Sequence, residues 1–156
     1  MTRLLGVDLG ERRVGLALAD RDGSPARPLA TIRRATTFDA DAGALQTIVS
    51  RYDVDEVVVG LPLEASGAEG QQSTMTRAWA TAVAERLSLP VTLRDERLSS
   101  YLAETRLGPM KRGRSGGPPS KTQRDAYRAR VDREAAAIIL QDELDARSAT
   151  GAGAPR

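Results

Sequence analysis

The sequence predicts an α/β domain, a five-stranded mixed sheet flanked by helices. Three observations carry this expectation. The chain opens with strand-like segments joined by short polar turns, the pattern of an antiparallel meander. It continues with an uninterrupted apolar run, Val57-Val58-Val59, set between two segments of helical apolar spacing, the pattern of parallel crossover units. Its 156 residues, 40% hydrophobic and 28% charged, suffice for one core but not comfortably for two.

The elements follow in order. Arg3 to Leu9 alternates Leu5, Val7 and Leu9 with Leu4, Gly6 and Asp8, a strand with two distinct faces. Gly10 punctuates a polar turn, and Val14 to Ala19 resumes as the second strand of a hairpin. Pro28 to Ile32 is a third strand, with Pro28 at its start, where a missing N–H is tolerated. Leu45, Ile48, Val49 and Tyr52 mark a helix over Ala40 to Tyr52. After the Val57–Val59 strand and a polar loop, Met75, Trp79, Ala82, Val83 and Leu87 form the stripe of a second helix, with Trp79 in the core. Pro90 to Leu93 is a short strand, and a brief helix spans Ser99 to Leu107. Gly108 to Lys121 holds four glycines and three prolines and reads as a mobile basic loop. A last helix covers Val131 to about Ala146. Residues 1–146 thus form a single domain and 147–156 a flexible tail.

Composition excludes several chemistries. There is no cysteine and no histidine, which removes disulfides, thiolate metal sites, Ser-His-Asp triads and imidazole acid–base catalysis. Catalytic groups, if present, are carboxylates. The longest apolar run, Ala135 to Leu140, is too short to cross a bilayer. Asp8 interrupts what would otherwise be a signal-peptide core, so the protein is expected to be unprocessed and cytoplasmic, with no membrane partner.

Charge is unevenly placed. Phe38 to Gln72 holds seven acids against Arg51 alone, whereas Arg106 to Arg130 holds eight bases against Asp125 alone. A local excess of +7 suits a polyanion such as nucleic acid, and Lys111, Arg112, Arg114 and Lys121 are its candidate contacts. A solvated loop in an arginine-rich chain is the plainer alternative.

Three acids stand out. Asp8 lies inside an apolar strand, where an unpaired charge is unfavourable, and alternation puts it on a sheet face rather than at the turn apex. Glu96 follows the Pro90–Leu93 strand in Asp95-Glu96-Arg97-Leu98-Ser99-Ser100; a surface ion pair, or capping of the next helix by Ser99 or Ser100, explains this cluster equally well. Asp132 has Ala135, Ala136, Ile139 and Leu140 on its own helix face, and small alanines there would let the helix lie close to the sheet and bring Asp132 towards Asp8. Asp132 is otherwise a simple N-cap, unless the helix starts earlier, at Ser120 or Thr122.

The element order is that of the ribonuclease H-like fold. The blocks Gly6-Val7-Asp8-Leu9-Gly10 with Arg12-Arg13-Val14-Gly15, Val59-Gly60-Leu61-Pro62, Asp95-Glu96-Arg97-Leu98-Ser99-Ser100, and Val131-Asp132 with Ala135-Ala136 and Ile138-Ile139-Leu140-Gln141 closely resemble the YqgF/RuvX family of bacterial Holliday-junction-resolvase-like nucleases. The resemblance runs from about Leu4 to Leu144. It implies a ribonuclease H-like fold and a metal-dependent nuclease that matures the 5′ end of pre-16S rRNA in ribosome biogenesis, or alternatively cleaves Holliday junctions. It places the acidic positions on Asp8, Glu96 and Asp132. Junction resolvases of the RuvC type carry a glutamate at the end of the fourth strand; here Gly60-Leu61-Pro62 has no acid, which shifts that role onto Glu96.

Three converging carboxylates would suit Mg²⁺ or Mn²⁺, hard cations that activate water and neutralise a scissile phosphate. Asp8 is expected to bridge two ions, with Glu96 and Asp132 binding one each. Expected partners are pre-rRNA or branched DNA and ribosomal particles, with the protein a monomer or homodimer. Two rival readings remain: a half of the actin/sugar-kinase type, which needs two such domains, and a non-catalytic RNA-binding module.

Overall fold

The computed structural model describes residues 2–20, 22–96 and 98–151. Arg97 of the Asp95–Ser100 block and residues 152–156 of the expected tail lie outside the described residues. The chain runs β1 (Leu4–Leu9), β2 (Arg13–Ala19), β3 (Arg27–Arg33), α1 (Phe38–Tyr52), β4 (Glu56–Leu61), α2 (Gln71–Leu87), β5 (Val91–Asp95), α3 (Ser99–Leu107) and α4 (Lys121–Gly151). One sheet has the order β3-β2-β1-β4-β5. The β1–β2 and β2–β3 pairs are antiparallel; β1–β4 and β4–β5 are parallel. Among the described residues no helix is long and apolar enough to cross a membrane.

The alternation in β1 separates two unlike faces of the sheet. Leu5, Val7 and Leu9 join Val14, Leu16, Leu18, Val57 and Val59 in a large aliphatic cluster with Leu45 of α1 and Trp79 and Val83 of α2. The opposite face is built from small residues. Leu4, Ala17, Ala19 and Val58 meet Ala136, Ala137, Ile139 and Leu140 of α4. Gly6 makes this approach possible, because a Cβ there would lie 2.8 Å from the Ala136 carbonyl oxygen and 2.8 Å from Leu140 Cβ. α3 then packs Ala103 against Val131, Ala135 and Ile138 of α4.

The last helix differs most from expectation. It begins at Lys121, ten residues before Val131, and continues to Gly151. Its start is a reciprocal cap: Gln123 N–H donates to Ser120 Oγ at 3.1 Å, and Ser120 N–H donates to Gln123 Oε1 at 2.8 Å. Asp132 is therefore interior to the helix, not its N-cap. Beyond Ala146 the helix is held by Arg147, which pairs with Glu143 at 2.7 Å and also with Glu56 of β4, so the expected tail boundary at 147 falls within ordered helix.

The acid-rich stretch has a structural explanation. Asp41 is 1% exposed and accepts hydrogen bonds from Arg34 Nε (2.8 Å), Ala35 N (2.7 Å) and Trp79 Nε1 (3.0 Å). Asp39 pairs with Arg86, Glu56 with Arg147 and Glu69 with Arg77. Trp79 is fully buried, as the helical stripe predicts.

Candidate active site

Asp8 sits near the end of β1, on the α4 face, between two strands that carry glycine beside it. In the β1–β2 register Asp8 is opposite Gly15. On its other side, Gly60 lies one step beyond the Val7–Val59 pair. Both missing side chains are used. A Cβ on Gly15 would stand 2.0 Å from the Asp132 carbonyl oxygen, and one on Gly60 would stand 2.5 Å from Glu96 Oε2. The helix backbone at Asp132 thus rests over one glycine and the Glu96 carboxyl fills the space over the other. Gly15 and Gly60 are the neighbours that let the Asp132 backbone and the Glu96 carboxyl approach Asp8.

Glu96 is fixed through its backbone. Its N–H donates to the Leu61 carbonyl at 3.2 Å, extending the β4–β5 ladder by one residue past Asp95. Its carbonyl accepts from Ser99 N (3.0 Å) and Ser99 Oγ (2.9 Å). The Ser99 hydroxyl therefore positions Glu96 rather than capping α3, whose N-cap residue is Leu98 and carries no side-chain cap.

The electrostatics follow from burial. Loss of hydration pushes Asp8 up to about 6; a hydrogen bond with Glu96 works against the rise and the Asp132 charge adds to it. Burial likewise pushes Glu96 up to about 9, reinforced by the Asp8 charge, the hydrogen bond with Asp8 and the Asp95 charge. Near neutral pH, Glu96 holds a proton that it shares with Asp8. Glu96 Oε2 is nevertheless buried and, among the described residues, has no hydrogen-bond partner. Such an atom is one that a bound water or ion would satisfy.

Asp132 is arranged differently. It is close enough for its charge to act on Asp8, but its Oδ2 accepts a 2.5 Å hydrogen bond from Arg13 Nε at the start of β2. Among the described residues no group of three acids is placed to hold a metal ion as it stands. Asp8 and Glu96 share a hydrogen bond, and Asp132 lies within electrostatic range of Asp8 while its Oδ2 is engaged by Arg13. Arg13 is the site residue that sequence reasoning missed; it belonged to a recognised block, but nothing local distinguishes an arginine at a strand start from a solvated one.

The oxygens of Asp8 and Glu96 match a hard divalent cation, which binds through one or two carboxylates and keeps further positions for water and substrate phosphate. Two clefts border α3. One, of about 420 Å³, is lined by Asp95, Glu96, Leu98, Ser99, Leu102, Ile138 and Asp142. The other, of about 280 Å³, includes Arg13, Ser100, Glu104, Tyr127 and Asp132. Glu96 thus opens onto one and Asp132 onto the other.

The basic residues expected to bind nucleic acid are dispersed. Lys111, Arg112 and Arg114 are exposed on the Gly108–Ser120 loop. This loop is tied down: Arg112 donates to the Gly116 carbonyl (3.0 Å), Gln123 Nε2 to the Arg112 carbonyl (3.0 Å) and Tyr127 OH to the Gly108 carbonyl (2.7 Å). Lys121 begins α4 and pairs with Asp125 at 2.7 Å.

A mixed sheet of order 3-2-1-4-5 with acids on its central strand, after its last strand and on the final helix defines the ribonuclease H-like class. The solved structure of "T. thermophilus RuvC in complex with Holliday junction substrate" superimposes with a TM-score of 0.51 over 95% of this chain and 96% of that one, at 16% identity. Within that class, the chain belongs to the RuvX family, described as "Holliday junction resolvase", whose profile matches residues 2–146. A relative from Anaeromyxobacter sp. (strain Fw109-5) is 44% identical over 147 residues, covering 94% of this chain and 99% of its own length. Another, from Syntrophus aciditrophicus (strain SB), is 40% identical over 144 residues, covering 92% and 89%. Both bear the name "Putative pre-16S rRNA nuclease". The family is one of nucleases, hydrolases of phosphodiester bonds.

Proposed function

We propose that the chain is a divalent-metal-dependent nuclease that hydrolyses phosphodiester bonds in structured RNA, processing the 5′ end of pre-16S rRNA. The observation that carries this reading is the buried Asp8–Glu96 pair held in a glycine-lined notch, with an oxygen that has no hydrogen-bond partner among the described residues. Asp8 and Glu96 would hold Mg²⁺ or Mn²⁺, and Asp132 would join them once Arg13 leaves it. The cation, when bound, supplies charge neutralisation at the scissile phosphate and an activated water.

The protein's own contribution is preorganisation. The sheet fixes Asp8, the Leu61 and Ser99 hydrogen bonds fix Glu96, and α4 fixes Asp132. Burial keeps the Asp8–Glu96 pair short of full ionisation until a cation replaces the shared proton. On this reading the partners are pre-rRNA and ribosomal particles in the cytoplasm. The family's description as a Holliday junction resolvase favours junction cleavage as a second reading, which requires a homodimer making two symmetric cuts.

A cleavage panel tests both. Structured RNA, single strands and four-way DNA junctions are incubated with and without Mn²⁺, beside Asp8→Asn, which keeps the side-chain shape and removes a buried charge. The proposal expects metal-dependent cuts in structured RNA that the folded variant fails to make. Cleavage of junctions alone by a dimer would select the second reading. A fully active Asp8→Asn protein, or a wild type that binds RNA and never cuts, would refute the assignment.

A further inference from the structure

A third cleft, of about 630 Å³, lies between the β1–β2 turn and the first turns of α4. One wall carries Arg12 and Arg13; the other carries Lys121, Arg124 and Arg128, the last two spaced four apart on one helix face. Against these five bases stand two acids, Glu11 and Asp125, leaving a local charge of +3. Asp125 is already paired with Lys121, and Arg124 donates to the Pro119 carbonyl at 2.9 Å. Among the described residues, Arg12 and Arg128 are exposed and their side chains have no ion-pair partner. Two cations from segments more than a hundred residues apart in sequence therefore line one groove.

The groove adjoins the cleft of Asp132. Arg13 and Arg128 line both, and Arg13 is the residue bonded to Asp132. No aromatic side chain lines it among the described residues, so it suits the backbone of a nucleic acid rather than its bases. Lys111, Arg112 and Arg114 are not among its lining residues.

We infer that this cleft seats the phosphodiester backbone of the substrate, with Arg12 and Arg128 as phosphate contacts on opposite walls and Arg13 as the contact nearest the acids. The inference rests on the nuclease reading for its biological meaning, but binding is measurable without cleavage. Fluorescence anisotropy in EDTA, using a labelled RNA hairpin and a labelled four-way DNA junction across a salt series, compares wild type with Arg12→Gln/Arg128→Gln. The expected result is affinity about tenfold to a hundredfold weaker and a log-affinity against log-salt slope shallower by about two. The charge-preserving Arg12→Lys/Arg128→Lys protein should recover most of the slope, which a merely misfolded variant cannot imitate.

An unchanged slope in the glutamine variant, or a loss confined to Lys111→Gln/Arg112→Gln/Arg114→Gln, would overturn the proposal, as would a wild type that binds neither probe. Stronger loss on the hairpin than on the junction identifies RNA as the polyanion, and the reverse identifies DNA. Cleft-dependent binding by a protein that never cuts would remove the nuclease reading and leave the cleft; normal cutting with cleft-independent binding would do the opposite.

Discussion

Replacing Gly60 with alanine is the sharpest probe of the carboxylate pair. The new Cβ would stand 2.5 Å from Glu96 Oε2 and 2.6 Å from Ile139 Cδ1. Restoring an ordinary 3.4 Å contact from 2.5 Å moves the Glu96 oxygen by about 0.9 Å. Both obstructing atoms are ends of side chains, so the fold can give way. Overpacking costs about 1–3 kcal/mol, partly offset by about 0.4–1 kcal/mol from the stiffer unfolded chain. Activity has no such relief, because a displacement of about 1 Å at a reacting centre costs on the order of a hundredfold in rate. The expected outcome is a protein within about 2 kcal/mol of wild type by urea unfolding and about a hundredfold slower in metal-dependent cleavage. Gly15→Ala is the contrasting control. Its Cβ would lie 2.0 Å from the Asp132 carbonyl oxygen, a backbone atom, so α4 itself must lift and about 3 kcal/mol or more of stability should be lost. A Gly60→Ala protein with full activity would refute the claim that this notch places Glu96.

Further outcomes concern charge and the buried acid. Asp8 and Glu96 have folded-state pKa values above their ordinary ones, so the folded chain keeps protons that the unfolded chain releases. Their contribution to stability is complete below about pH 4 and is lost as pH rises through about 6 and about 9. Urea titrations of the metal-free protein should therefore weaken by a few kcal/mol over that range, and Glu96→Gln should flatten the decline; an unchanged pH profile in that variant would contradict the burial argument. Arg13→Gln removes the 2.5 Å partner of Asp132 beside Asp8. Stability without metal should fall by about 1–3 kcal/mol, and added Mn²⁺ should recover more of it than in wild type; equal responses would mean that Arg13 is a bystander. Trp79→Phe strips the buried Asp41 of a 3.0 Å donor and should lower unfolding stability by about 1.5–3 kcal/mol with no change in salt-dependent RNA binding.

Much of this arrangement could be read from residue patterns because it depends on local periodicity. The two-residue alternation in β1 assigns Asp8 to its face, and the bounds of α3 match the expected Ser99–Leu107. What escaped is what arises between segments. Gly15 and Gly60 become neighbours of Asp8 only through strand register. The earlier start of α4 is open in the sequence at Ser120 or Thr122, and only the reciprocal Ser120–Gln123 pairing decides for it. The pairing of Arg13 with Asp132 spans 119 positions. Nothing local sets Asp41 apart from the six other acids of its stretch, since its three donors come from the β3–α1 connection and α2.

The two sides of the sheet therefore age differently under mutation. Around Leu45, Trp79 and Val83, aliphatic volume can be traded among many neighbours, and a designer seeking heat resistance has latitude there. Across the sheet, a single added carbon at the positions beside Asp8 meets either a helix main chain or a carboxyl group. Chemistry on that side is inherited from the absence of atoms, so drift at Gly60 should silence the protein before it unfolds it, whereas drift at Gly15 should do both.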